Sequence, residues 1–368
     1  MTTTVRDIVS IISSRFPEKT AEEWDNPGLQ LGRFDAPVRR VLVALELTPA
    51  VVDEAIKTGV QLVVTHHPFI FRPMKAVNDR SPEGRMLLAL AENRIGLYAA
   101  HTNLDAAPGA IAQKLADDLG LTDRRGFLPH KPYQAFKLVV FVPRQDAEKL
   151  AAALHRAGAG SVGNYSNVSF RCDGIGAFTC GAEANPAIGT PGSSEQVEEC
   201  RLEMVVPEQV LGQVTAALRQ NHPYEEPAFD IFKLESEVSG LTDAYAFGIQ
   251  GKLASPMILR DFAVYLKQLW HIPSLRAAGN PDKMISRVAF VNGSGAKFLT
   301  RCRNIDAYIT GDCGHHDFDN AIRQDIALID AGHYDTEKYI PQILMETLQD
   351  LDIEIQIAQS MRNPMDVY

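Results

Sequence analysis

Apolar positions over residues 1–124 fall into two alternating patterns, continuous runs and helical spacing. Val5, Ile8, Val9, Ile11 and Ile12 recur at helical intervals and predict an amphipathic first helix that contains Asp7. Val41 to Leu47 is a run of the kind carried by buried strands. Thr48 and Pro49 then supply an N-cap and a first helical position, so a helix is expected up to Thr58, ended by Gly59. Residues 61–65 and 95–100 read as two further strands. A helix over 84–93 separates them, and another over 110–119 is closed by Gly120. This strand–helix alternation implies a mostly parallel sheet covered by helices.

Residues 241–368 repeat the same grammar. Strands are expected at 288–291, 307–310 and 326–330, a helix at 318–323, and a long final helix from near Thr336. The segment between differs. It reads as a strand at 137–142, a helix at 146–157, strands near 166–172, a loop tip at 186–194, a strand at 201–206, a helix at 209–220 and a strand at 228–234. That is the order of a ferredoxin-like module. The expected fold class is therefore α/β: two similar α/β halves (1–124 and 241–368) forming one core, with an inserted ferredoxin-like α+β domain at 125–240.

Composition narrows this little. With 368 residues, 45% hydrophobic and 22% charged, the chain has ordinary globular proportions and room for two or three domains. No apolar stretch reaches the ~20 residues of a membrane span. The N-terminus lacks a basic region and a small-residue cleavage site, so no signal peptide is expected. Five cysteines, Cys172, Cys180, Cys200, Cys302 and Cys313, form no CxxC pair. A reduced, cytoplasmic protein is expected. A net charge of −10 argues against a general grip on nucleic acid, which depends on neutralising phosphates.

The halves also match at their polar strand ends. One carries His66-His67 and then His101-x3-Asp105; the other carries His315-His316 and then His333-x3-Glu337. Parallel strands deliver such residues to one edge of a sheet. Imidazole and carboxylate together suit Zn, Mn, Fe, Co or Ni, and two ions sharing a carboxylate can activate water at neutral pH. A lone His-His pair is commonly incidental, and either residue of His-x3-acid can cap a helix. Both patterns occurring twice point to metal. The alternative is that one set is a decayed duplicate kept for packing or for holding ligands in place. Asn292-Gly293-Ser294-Gly295 reads first as a tight turn and second as a phosphate cradle, without the Lys-Ser/Thr ending of a Walker motif. Trp24 is expected to be a packing anchor. His222-Pro-Tyr-Glu-Glu is expected to be the loop after a helix, with ligand binding as the second reading. His130 and His155 are expected at the surface, and His271 in the core or capping a helix.

Five stretches, AEEWDNPGLQLG (21–32), VTHHPFIF (64–71), AAHTNLDAAPG (99–109), YITGDCGHHD (308–317) and LIDAGHYDTE (328–337), resemble the NIF-three family, whose bacterial members are described as GTP cyclohydrolase 1 type 2 homologs. Residues 221–235 resemble the insert of the longer bacterial members, similar to PII- or CutA-like modules. The resemblance implies a dinuclear metal site. His66 and His67 would bind one ion each, Asp105 would join one and His333 the other, and Glu337 would bridge both. His101, Asp312, His315 and His316 would orient ligands, hold waters or touch substrate, with the three histidines as candidate acids or bases. Asp25 and Asn26 become weaker candidates. The resemblance also implies a ring-shaped homohexamer and a nucleotide substrate such as GTP. Two departures stand out: Glu46 replaces an expected Asp, and Cys313 places a thiol near the presumed site, where a small buried turn residue is the favoured reading. Three functions fit these residues: a metal-dependent hydrolase, a metal chaperone or insertion factor, and a regulatory interaction protein.

Overall fold

The computed structural model describes residues 2–129, 135–162, 165–235 and 245–366. His130 and the expected boundary at 240 lie outside these residues. The first segment builds α1 (Val5–Arg15), β1 (Gly28–Leu31), β2 (Arg40–Ala44), α2 (Pro49–Thr58), β3 (Leu62–Thr65), α3 (Pro82–Glu92), β4 (Gly96–Ala99), α4 (Thr102–Asp105), α5 (Ile111–Asp118) and β5 (Thr122–Pro129). The insert builds β6 (Ala135–Pro143), α6 (Ala147–Arg156), β7 (Phe170–Thr179), β8 (Ser194–Pro207), α7 (Leu211–Asn221) and β9 (Phe229–Lys233). The last segment builds β10 (Ala246–Ile258), α8 (Leu259–Leu269), β11 (Arg276–Ala278), β12 (Met284–Ser294), β13 (Ala307–Gly311), α9 (His315–Arg323), β14 (Ala327–Asp330), α10 (His333–Glu337), α11 (Ile340–Leu348) and β15 (Glu354–Ile357).

Local signals set several of these boundaries. The Thr48 hydroxyl accepts from the Val51 N–H at 3.2 Å and starts α2; Gly59, at φ 66°, ends it in a left-handed turn. β2, β3 and β4 are continuous apolar runs because both faces are covered. Leu42, Val63 and Leu97 are fully buried against Val51 and Ala55 of α2 and Leu87 and Leu90 of α3. Each such side chain contributes about 1.5–3 kcal/mol by leaving water.

Residues 2–129 and 245–366 form one compact unit with two sheets, ordered β1-β4-β3-β2-β15 and β11-β14-β13-β12-β10-β5. In each, three sequential strands run parallel and an antiparallel strand closes the far edge: β1 on β4, and β11 on β14. The duplication read from the sequence is thus present strand for strand. It also includes an exchange that local periodicity does not encode. Each half sends its last strand into the other half's sheet: β15 pairs in parallel with β2, and β5 pairs with β10. Residues 125–129 therefore belong to the core, not to the insert. The expected long final helix is broken into α10 and α11, with Pro341 in the first turn of α11.

Residues 135–235 form the second unit. Its sheet order β7-β8-β6-β9, antiparallel throughout, with α6 and α7 as the two connecting helices, is the ferredoxin-like arrangement. Its core packs Leu138, Val140 and Val142 of β6 with Leu150 and Leu154 of α6 and Val214 and Leu218 of α7. Among the described residues no helix is long and apolar enough to cross a membrane.

Candidate metal centre

The C-terminal ends of the parallel strands carry the polar residues, as their direction requires. His66 and His67 follow β3, and His101 follows β4 and caps α4, which ends in Asp105. In the other half, Asn292 lies near the end of β12, Asp312 follows β13, and α10 carries His333 and Glu337 one turn apart on one face.

Three groups offer donor atoms that lie within 4.8 Å of one another: His66, His67 and His101; His67, His333 and Glu337; His66, Asp105 and Glu337. Glu337 is common to two groups, and His67 and His66 each to two. The structure therefore brings together all five expected ligands, and it draws His101 into the same cluster.

The imidazoles are held from outside. His66 Nδ1 lies 2.8 Å from the Ala100 carbonyl oxygen, which can only accept, so Nδ1 carries the proton and donates. His333 Nδ1 meets Asp312 Oδ2 at 2.6 Å, and His101 Nδ1 meets Asp25 Oδ1 at 2.7 Å. Glu46 Oε1 lies 3.7 Å from His67 Nδ1. Each contact leaves Nε2 to face the site, the arrangement by which outer partners fix the tautomer of metal-binding histidines. His66 Nε2 is buried and has no hydrogen-bond partner, with Asp105 Oδ1 at 3.5 Å and Glu337 Oε1 at 3.9 Å. A nitrogen lone pair aimed at two carboxylates is repulsive; a cation among them reverses the sign. Glu337 Oε2 has His333 Nε2 at 3.0 Å and His67 Nε2 at 3.1 Å, yet neither meets it with hydrogen-bonding geometry. The donor set and these orphaned atoms fit divalent metal.

Charge is balanced within the cluster. Burial opposes ionisation of Glu337, but His333, His66 and His67 outweigh it and hold the carboxyl well below its ordinary range. Burial likewise opposes the charged form of His67, yet Glu337 and Glu46 raise it to about 10; Glu337 and Asp312 raise His333 to about 9. Burial, with the nearby Glu337 charge, pushes Asp105 up. Burial would also raise Asp25, but His101 and Thr102 hold it at about 2.

Asn292, expected as part of a tight turn or a phosphate cradle, has a further role. Its buried amide donates to Asp105 Oδ1 at 2.7 Å and Glu337 Oε1 at 3.2 Å, tying one carboxylate from each half. Gly293, at φ 59°, lies so close that a Cβ there would fall 2.2 Å from Glu337 Oε1. The Gly293 and Gly295 N–H groups donate to the Thr336 and Thr310 hydroxyls, so the stretch is a tight turn and not a phosphate cradle.

Other candidates sort plainly. His315 and His316 open α9, exposed to solvent, outside the three donor groups. The residue that follows β13, as His66 follows β3, is Asp312; His315 lies three residues further on. Asp25 holds His101 and Thr102, while Asn26 donates to the Ile70 carbonyl at 2.5 Å. Cys313 is buried and burial pushes its thiol up to about 12, the behaviour of an inert turn residue. His271 is exposed at φ 50° just beyond α8, so it is not in the core. Trp24 is not a packing anchor: it is 50% exposed and lines a cleft of about 250 Å³ that opens onto the centre. Phe71 meets it edge-on at 5.8 Å, and Lys297 Nζ lies 5.6 Å over its ring. No sequence signal marked Lys297.

Residues 3–364 match the Duf34/NIF3 (NGG1p interacting factor 3) family. A protein of Halalkalibacterium halodurans described as GTP cyclohydrolase 1 type 2 homolog is 36% identical over 346 residues, 94% of this chain and 92% of that one. A Bacillus subtilis protein of the same description is 34% identical, covering 98% and 97%. The crystal structure of a Bacillus cereus protein related to NIF3 superposes over the full length of both chains, with a TM-score of 0.88 and 33% identity. The chain belongs to the Duf34/NIF3 family.

Proposed function

We propose that this protein is a dinuclear metal-dependent hydrolase acting on a nucleotide. The observation that carries the reading is Glu337: its two oxygens serve two donor groups, one with His66 and Asp105, the other with His67 and His333. Divalent ions bound there supply Lewis acidity and a water-derived nucleophile at neutral pH. The chain's own residues do the rest. Asn292 keeps the two carboxylates turned toward one another. Asp312, Asp25 and the Ala100 carbonyl keep three imidazoles from rotating. His101, held by Asp25 and close to the cleft, is placed to pass a proton to or from a bound substrate.

The cleft supports the substrate class. Half-exposed Trp24 and Phe71 offer faces on which a planar base can stack. Lys297 has no carboxylate partner among the described residues and can pair with phosphate. The description of the relatives as GTP cyclohydrolase 1 type 2 homologs agrees with a purine nucleotide. The same reading includes a homohexamer, to be sized by light scattering.

Elemental analysis of purified protein, with a GTP-turnover screen after metals are re-added, tests the proposal. Two ions per chain with turnover is the expected result. Two readily exchanged ions without turnover would replace the hydrolase by a metal-delivery protein. Absence of metal after reconstitution would end both readings.

A further inference from the structure

The insert contains a cavity of about 630 Å³, a size typical of small-molecule sites. Its floor is glycine. β7 places Gly174 and Gly176 two residues apart on one face. A Cβ at Gly174 would meet nothing within 4 Å, whereas one at Gly176 would fall 2.1 Å from Glu199 Oε2. The carboxylate of Glu199 thus lies over the space that Gly176 leaves free.

One wall is the connection between β7 and β8. It is pinned at its neck, where the Cys180 N–H donates to the Ser193 carbonyl and the Gly192 N–H to the Cys180 carbonyl. Ala184, Pro186, Ala187 and Ile188 of this loop line the cavity. The opposite wall is the His222-Pro-Tyr-Glu-Glu segment. Buried His222 donates from Nε2 to the Phe141 carbonyl at 2.9 Å and accepts the Tyr224 N–H at Nδ1 at 3.1 Å. That anchor presents Tyr224, Glu225 and Glu226 to the cavity. Tyr224 packs edge-on against Phe178 and donates its hydroxyl to Glu199 at 3.0 Å. Glu225 accepts the Asn185 N–H at 3.1 Å, tying the two walls together.

The charges are uneven. Asp173 is paired with Arg144 at 3.0 Å and Arg201 with Glu203 at 2.9 Å. Among the described residues, Glu199, Glu225 and Glu226 have no Lys or Arg partner. Around them the lining is largely apolar, with Phe141, Phe178, Pro186 and Ile188. We propose that this cavity binds a small organic cation, an ammonium group carried on an apolar body. An anion would meet three uncompensated carboxylates. A bare metal ion would leave the aromatic and aliphatic walls unfilled. The site lies wholly within residues 141–228 and does not depend on the metal centre.

Isothermal titration of the full-length protein with 2-phenylethylammonium, 2-phenylethanol, phenylacetate and Ca²⁺ tests this. The ammonium is expected to bind at least tenfold more tightly than the alcohol, with no binding of phenylacetate. Glu199→Gln combined with Glu226→Gln should weaken the ammonium at least tenfold and leave the alcohol unchanged. Gly174→Val fills the open floor with a strand-favouring side chain and should abolish binding of both, with the melting temperature retained. The proposal is overturned by absence of ammonium binding, by equal affinity for the organic probes, by binding of Ca²⁺ alone, or by ammonium binding that survives Gly174→Val. A Gly174→Val protein of altered oligomeric size would also overturn it, identifying this face as a contact between copies.

Discussion

Glu337 is the residue on which both halves of the centre depend, so it is the first to change. Glu337→Gln keeps the shape and removes the charge shared by the two donor groups; on the proposed dinuclear reading, metal content by elemental analysis should fall to one ion per chain or none. His155→Ala, a control whose Nδ1 meets the Ala159 carbonyl and which belongs to none of the donor groups, should leave it unchanged. Gly293→Ala should act on the same readout from the backbone side. It adds a Cβ 2.2 Å from Glu337 Oε1 at a left-handed φ, and should lower metal content and cost about 1–3 kcal/mol in a denaturant titration. Protons compete for the same atoms. In metal-free protein His67 and His333 are raised from 6.5 to about 10 and about 9. Their stabilising contribution is fully present below about pH 6.5 and lost as pH rises through those values. Metal must displace both protons, so apparent affinity should rise with pH up to about 9, by at most roughly a hundredfold per unit, and level off above about 10. A chelator competition at several pH values checks this; a flat profile would remove the two histidines from the ligand set. The ligands themselves were legible because strand-end His and acid residues stand out against apolar runs. Asn292 was not, because an Asn beside Gly signals a turn whether or not its amide holds two carboxylates. Lys297 was illegible because its role is a position over Trp24, which no local spacing encodes.

At the scale of elements, apolar periodicity gave the parallel strands, their order and the duplicated grammar, since a strand buried on both faces has an unmistakable pattern. Pairing partners are another matter. Glu354–Ile357 is short, only partly buried and followed by polar residues, and nothing local says that it joins β2 some three hundred positions earlier. The same limit misaligned the two halves. His-His was matched to His-His, although β13 turns sharply at Asp312, which has φ 56°, and delivers a carboxylate where β3 delivers histidines. The halves have therefore diverged at corresponding positions into a ligand-bearing end and a ligand-orienting end. The exchanged strand carries its own prediction. Truncation after Asp352 would bare the edge of β2, whose Val41, Leu42, Val43 and Ala44 are fully buried. The truncated chain should aggregate or melt on the order of 10 °C lower. Glu354→Ala, which removes the exposed pair with Arg40 and the exposed hydrogen bond from Gln356, should change the midpoint little. Thermal melts of the two variants distinguish backbone pairing from surface charge.

For the whole molecule, the division of the ligands between halves is what ties chemistry to stability. His66, His67, His101 and Asp105 come from before the insert, whereas Asn292, His333 and Glu337 come from after it. Neither half alone contains a complete donor group with Glu337, so an ion bound at the centre cross-links two segments separated by more than a hundred residues of independent domain. Metal should therefore act as a ligand of the folded core and of nothing else. At a free concentration a thousandfold above its dissociation constant, it stabilises that unit by about 4 kcal/mol. For a unit of this size the shift is roughly 8–16 °C. The insert has its own core of Leu138, Val140, Leu150, Leu154 and Leu218, and contributes no residue to the donor groups. Calorimetry with and without a chelator should show one transition moving down when metal is removed and another staying in place. If both moved together, the insert would be coupled to the centre by contacts beyond the chain connections. If neither moved, the ions would not hold the halves together, and the converging imidazoles would need another explanation than metal.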